Sequence, residues 1–412
     1  MSVVETQTAG ASVVRFETLP GPGRILSVDA LRGMVMILMA LDHTRDFIHS
    51  AAMSSSPTDL TRTTAPIFFT RWVTHICAPV FAFTAGAGAF LWVSRKRTNS
   101  ELSRFLVTRG LWLMLLEITV LRFIFLFEIR FSNSVVILTV FWMLGLCMVC
   151  LAALVHLPAR VLLGLSIAMI AAHNLLDPVN ASQFGRAAWL WNILHQQGVF
   201  GFLNTTVLVA YPLVPWVGVM ATGYCFGRAL RWEPPRRQRF MLRLGVVLSI
   251  AFVLLRALNH YGDPVPWTVQ KSSLFTALAF LNCTKYPPSL QFLLMTLGPA
   301  LIIMSWLDRS RLSTTNPLIV FGRVPFFFFL GHLAVIHVVT ILLNFLRYGP
   351  AGFLLLPAPS MGGPPQMFPA DYGFNLGVVY LVWLAVVVLM YPVCRWYAGL
   401  KQRRKDWWLS YL

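Results

Sequence analysis

Apolar residues along the chain gather into runs of about twenty with few charges, separated by polar stretches, the pattern of helices that cross a bilayer. The runs cover residues 28–47, 66–93, 105–125, 135–157, 161–176, 206–230, 242–258, 290–307, 318–346 and 376–399. They predict an all-α, polytopic integral membrane bundle of about ten transmembrane helices. Gly86 and Gly88 in the second run suit close helix contact. Pro212 and Pro215 predict a kink in the sixth, where freed backbone groups can serve a cavity. No internal repeat is visible, so an inverted-repeat transporter has no support in the sequence. Residues 1–23 contain Glu5 and Glu17 and no apolar core. They read as a disordered cytoplasmic tail rather than a signal peptide, ahead of one transmembrane domain over 24–412.

Composition agrees with the pattern. Of 412 residues, 57% are hydrophobic and only 12% charged, against about 25% charged in a soluble globule. Too few charges remain to cover a water-facing surface. The net charge of +18 would suggest nucleic acid on a soluble domain, but here the basic residues alternate between connections. Arg95, Lys96, Arg97 and Arg104 fall after the second run, Arg231, Arg236, Arg237 and Arg239 after the sixth, and Arg309 and Arg311 after the eighth. Arg395, Lys401, Arg403, Arg404 and Lys405 close the chain. The longer opposite connections are poor in Lys and Arg. This alternation puts both termini in the cytoplasm and leaves the lipid bilayer, not nucleic acid, as the partner. The six Cys are scattered; Cys147 and Cys150 read as helix packing. No zinc, Walker or nucleophile-elbow motif is present, and no metal is expected.

Ionisable residues inside apolar runs are costly and mark candidate chemistry. The first run has them at both ends. At its start, Ser27 reads as an N-cap and Asp29 suits the positive helix end. Arg32 has two readings: a snorkelling or Asp29-paired side chain, or a ligand for an anion arriving from the cytoplasm. At its far end stand Asp42, His43, Arg45, Asp46 and His49. A carboxylate beside an imidazole orients it and raises its basicity, as general-base chemistry requires. The plainer reading is a solvated helix end. His75 in the second run and His332 in the ninth lie deep in apolar sequence, and Glu117 in the third reads as a partner for a basic neighbour. His156, His173, His195 and His260 carry little signal.

Several of these residues belong to stretches that resemble a known family. The opening Arg24-Ile-Leu-Ser-Val-Asp-Ala-Leu-Arg-Gly-Met-Val-Met-Ile-Leu-Met-Ala-Leu-Asp-His43 is similar to bacterial membrane proteins related to heparan-α-glucosaminide N-acetyltransferase, among the multi-pass membrane acyltransferases. Tyr211-Pro-Leu-Val-Pro-Trp-Val-Gly, Lys285-Tyr-Pro-Pro-Ser-Leu, Gly322-Arg-Val-Pro-Phe and Cys394-Arg-Trp-Tyr-Ala-Gly extend the resemblance over about residues 24 to 408. It implies a bacterial inner-membrane acetyltransferase that moves an acetyl group from cytoplasmic acetyl-CoA to a glycan or amino-sugar acceptor on the outer side. His43 matches the His of the acyltransferase opening. The family's lysosomal branch has its catalytic His later, where His49 is the nearest counterpart without the same spacing, so the base is His43 or His49. Asp42 and Asp46 would then orient the ring, while Arg45, His75 and His332 would bind the acceptor. His332 matches the Gly-His of a late helix in that family. Arg32 and Arg24 would bind the CoA phosphates. With only 23 residues ahead of Arg24, the family's large luminal domain is not expected, nor is heparan itself as substrate. A homodimer is left open. The alternative functions are a transporter of a small solute or glycan precursor, and a lipid-associated scaffold.

Overall fold

A computed structural model of the chain describes residues 24–126, 135–404, 406 and 409. The proposed tail at 1–23 and Lys405 lie outside the described residues. The element at the centre is α1 (Leu26–Ile48). After it come α2 (Ala65–Trp72) and α3 (Cys77–Val93), separated by a 3-10 turn at Val73–Ile76. Next are α4 (Asn99–Leu116), a wider π-type turn at Glu117–Leu121 and α5 (Arg122–Leu126). Strand β1 (Val135–Leu138) leads into α6 (Val140–Leu154), followed by α7 (Ala159–Ala172) and α8 (Ala188–Leu194). Strands β2 (Gly198–Phe202) and β3 (Thr205–Val209) precede α9 (Leu213–Phe226) and α10 (Pro234–Leu258). The chain ends with α11 (Ser273–Leu281), α12 (Leu290–Arg309), α13 (Pro317–Arg323), α14 (Pro325–Tyr348) and α15 (Leu376–Arg403).

The all-α expectation needs one correction. The start of the fourth run, the start of the sixth and the connection just before it form a three-stranded sheet ordered β1-β3-β2. Val135 stands opposite Thr206 in a parallel pair, and Gly198 opposite Val209 in an antiparallel one. Runs rich in Val, Ile and Thr favour a pleated backbone, and a short apolar run next to a helix has no period of its own. Pro212 and Pro215 do not kink a helix: Pro212 is the N-cap of α9 and Pro215 sits in its first turn, where a missing N–H leaves no intrahelical bond unmade. Likewise the ninth run is two helices, broken at Val324 before Pro325, because the residue ahead of a proline is driven out of the α region.

Among the described residues, six helical runs are long and apolar enough to cross a membrane: Ala65–Val93, Ala159–Leu176, Pro234–Leu258, Leu290–Arg309, Pro325–Tyr348 and Leu376–Arg403. α1 has the length, at 23 residues, but carries Asp29, Arg32, Asp42, Arg45 and Asp46. It is enclosed by α3, α12, α13, α14 and α15, so its charges face protein. α15 is the opposite case. Only 17% of its most apolar window is buried, and Leu381, Leu384, Val388 and Leu389 point outward, as a lipid-facing helix requires.

Close crossings fix α1. A Cβ on Gly33 would lie 1.8 Å from the Leu318 carbonyl oxygen, and one on Gly322 would lie 1.7 Å from that of Asp29. α1 and α13 therefore meet backbone to backbone. Gly86 does the same for α3 against Met220 of α9, the contact its position suggested.

Candidate functional site

Two histidines meet across the bundle. His43 lies near the end of α1, and His332 lies on α14, which packs along it. Their rings are nearly parallel with centroids 5.1 Å apart. His43 Nδ1 is 2.8 Å from His332 Nε2, and His332 Nδ1 is 2.7 Å from the Phe328 carbonyl oxygen. A carbonyl oxygen only accepts, so His332 Nδ1 carries the proton and donates. In the neutral ring, Nε2 is then an acceptor, and His43 Nδ1 must be its donor. The lone pair of His43 is left on Nε2, where a base needs it. One backbone carbonyl thus sets both tautomers. Phe328 stacks on His332, and Phe125 and Phe329 present their edges to His43.

The orienting role assigned to Asp42 or Asp46 is not seen. Asp42 accepts from Arg71 and stands 3.0 Å from Arg45, and Asp46 accepts from Arg45. Arg45 is 2% exposed, and a buried guanidinium takes the nearest carboxylates before a neutral imidazole does. Both acids remain close enough to act on His43 electrostatically, but the group that holds its ring is His332. Beside this cluster runs the turn carrying Lys285 and Tyr286. Tyr286 reaches Tyr211 at 3.4 Å between hydroxyl oxygens. Burial works to raise its pKa, but Lys285 and Arg71 outweigh that and hold the phenol below its ordinary range.

The other sequence candidates sit apart. His49 follows the last turn of α1, pairs through its backbone with Phe374 and is 4% exposed, with Nδ1 unpartnered. Burial, then Arg45, lowers its pKa. It lines a cleft of about 10 Å³ with Arg45 and Arg62, room for one water. His75 is in the Val73–Ile76 turn against Phe292, ring centroids 5.3 Å apart. At the opposite end of α1, Asp29 is held by Arg24 at 2.5 and 3.2 Å, which disposes of an Arg32–Asp29 pair. Ser27 caps nothing; its hydroxyl donates to Asp308 at 2.8 Å.

Arg32 instead donates to the Thr84 hydroxyl and carbonyl oxygens, at 3.0 and 2.5 Å, on the wall of a cavity of about 340 Å³. That volume lies within the range of small-molecule sites. α1, α3, α4, α6 and α14 enclose it. Arg32, Arg109 and Trp92 line it along with Phe141 and Phe329. Phe329 lines the cavity and meets His43 at a centroid distance of 5.7 Å. Arg32 and His43 are about 16 Å apart along α1 at 1.5 Å per residue. The cavity therefore extends from a pair of arginines toward the histidine pair and stops one aromatic side chain short of it.

Sequence reasoning passed over Arg71, Arg109, Tyr286 and Phe329. Arg71 and Arg109 carried a signal, since each is a guanidinium within an apolar run. Phe329, one of four consecutive Phe, carried none.

A family model described as heparan-alpha-glucosaminide N-acetyltransferase, catalytic, matches residues 24–259, more than half of the chain. The matched part holds His43, Arg71 and the cavity residues Arg32 and Arg109; Phe329 and His332 lie beyond it. No curated protein matches the chain.

Proposed function

Because the chain belongs to the heparan-alpha-glucosaminide N-acetyltransferase catalytic family, we propose that it transfers acetyl from cytoplasmic acetyl-CoA to a sugar or glycan on the other side of the membrane. The observation that carries this reading is the cavity of about 340 Å³ between the two arginines and the histidine pair. Guanidinium groups suit phosphate oxygens through charge-assisted, bidentate bonds. Arg32 and Arg109 therefore receive the phosphates of CoA, and the apolar walls take its thioester arm toward Phe329. The acceptor approaches from the other end, beside Tyr286 and Arg71.

His43 is the base. Its Nε2 takes the proton of the acceptor hydroxyl or amine as the acceptor's lone pair attacks the thioester carbonyl. The tetrahedral adduct collapses, the C–S bond breaks, and the leaving thiolate recovers that proton from His43 as CoA thiol. Donation from His43 Nδ1 to His332 stabilises the charge on the ring in between. This arrangement resembles a triad in which a second imidazole and a carbonyl replace the orienting carboxylate. Placing two acids on Arg45 and Arg71 keeps the region near neutrality without claiming the base.

Acetyl-CoA binding to purified protein tests the donor site. A charge-assisted bond contributes about 1.5–3 kcal/mol, so Arg32→Ala should weaken binding by roughly tenfold or more, while the exposed Arg186→Ala should not. Equal affinity in wild type and Arg32→Ala would contradict the assignment.

A further inference from the structure

Away from the histidine pair, His173, Asp177 and His195 come together where the turn after α7 meets the end of α8. One ligand atom from each lies within 4.8 Å of the others. His195 Nε2 and Asp177 Oδ1 are 3.1 Å apart, and the His173 and His195 rings meet edge to face at 5.6 Å. Both histidines are 2% exposed. Among the described residues, neither ring nitrogen of His173 has a hydrogen-bond partner, nor does His195 Nδ1. The Pro288 carbonyl approaches His173 without reaching hydrogen-bond geometry. Buried polar groups without partners are rare and costly. Among the described residues, Asp177 has no Lys or Arg partner either; its ion-pair contact is His195.

We propose that these three residues bind a divalent transition metal, with zinc the best match. Two imidazoles and a carboxylate form a zinc donor set, with a fourth position open to water. Tetrahedral zinc at its usual bond lengths needs donor atoms about 3.3 Å apart. His195 and Asp177 already meet that, so closure asks for rotation of His173. The ion would occupy the unpaired His173 lone pair and neutralise Asp177. A second layer is already in place: Asn174 Nδ2 donates to the other Asp177 oxygen at 2.8 Å, the kind of support that fixes a metal-binding carboxylate. Asn174 Oδ1 in turn accepts from the backbone N–H of Leu290 at 2.9 Å, just after the turn bearing Lys285 and Tyr286. The ion would thus clasp the segment from Asp177 to His195 and brace that turn. The spacing explains why the sequence gives no hint. His173 and Asp177 are four apart, but His195 follows only after a long loop, and no metal motif has that form.

The test uses untagged full-length protein in detergent, stripped with a chelator and then dialysed against zinc or cobalt. Bound metal is measured by mass spectrometry, the cobalt form by its visible d–d absorption, and stability by thermal midpoint. The expected result is about one ion per chain, a tetrahedral cobalt spectrum and a higher midpoint than the stripped protein. Asp177→Asn, a change that spares the fold, should lose most of the cobalt absorption, and His173→Ala all of it. Wild-type protein that takes up no ion at micromolar free metal would overturn the proposal, as would His173→Ala retaining full uptake.

Discussion

At the scale of single residues, the histidine pair makes the sharpest demand. His43 without His332 has no partner to hold its Nδ1 proton, so both tautomers become populated and its charged form loses support. General-base contributions are typically about 10² to 10⁴ in rate. His43→Ala should therefore lower transfer by at least about 10². His332→Ala should lower kcat with little change in KM for acetyl-CoA, and His332→Gln, whose side-chain oxygen can accept from His43 Nδ1, should recover part of it. A His332→Ala enzyme with wild-type kcat would remove the relay. Glu117 carries a different prediction. Its carboxylate accepts from the backbone N–H of Thr139, Phe141 and Trp142 at 3.1, 3.0 and 3.2 Å, and from the Thr139 hydroxyl at 2.6 Å, so it caps α6 from a neighbouring segment. Removing a helix cap costs about 0.5–2 kcal/mol, so Glu117→Ala should lower the thermal midpoint, and Thr119→Ala on the exposed side should not. The sequence marked Glu117, His43 and His332 as unusual because each is ionisable in an apolar run. Their partners were not legible. His43 and His332 are 289 positions apart, and Glu117 meets backbone groups, which leave no trace in a sequence.

At the scale of elements, the position of α1 depends on its crossing with α13. Gly322→Val would push side-chain carbons into the Asp29 carbonyl, already 1.7 Å from where a Cβ would stand. Because neither backbone can yield without moving its helix, monodisperse protein should be lost on size-exclusion chromatography. Gly164→Val on α7, where nothing lies within 4 Å, should be tolerated. Helix positions were legible because apolar runs of spanning length are a strong signal. Breaks within them were less so. The turns at 73–76 and 117–121 contain no proline that announces them, and β1 and β3 merge into the apolar runs of the helices that follow. Capping was read wrongly at Ser27, which has the right residue type but donates to Asp308, and the reciprocal Thr98–Glu101 pair at the start of α4 went unread.

At the scale of the whole molecule, the proposed orientation rests on the alternation of Lys and Arg between connections, which predicts the Arg32 end of α1 on the cytoplasmic side and the His43 end on the far side. On that proposal the cavity would receive the donor at its Arg32 end, with Phe329 between it and His43. The cavity was not legible, since five separate helices enclose it; of its two arginines, Arg32 was singled out in the sequence and Arg109 carried a signal that went unread. The most direct measurement is acetyl transfer in sealed vesicles of known orientation, with labelled acetyl-CoA confined to the cytoplasmic side and an amino-sugar acceptor confined to the other. Labelled acceptor should accumulate with wild-type protein and fall by about 10² or more with His43→Ala, while acetyl-CoA binding is unchanged in that variant. Transfer that proceeds only when donor and acceptor share one side, or that survives His43→Ala undiminished, would contradict a path from Arg32 to His43.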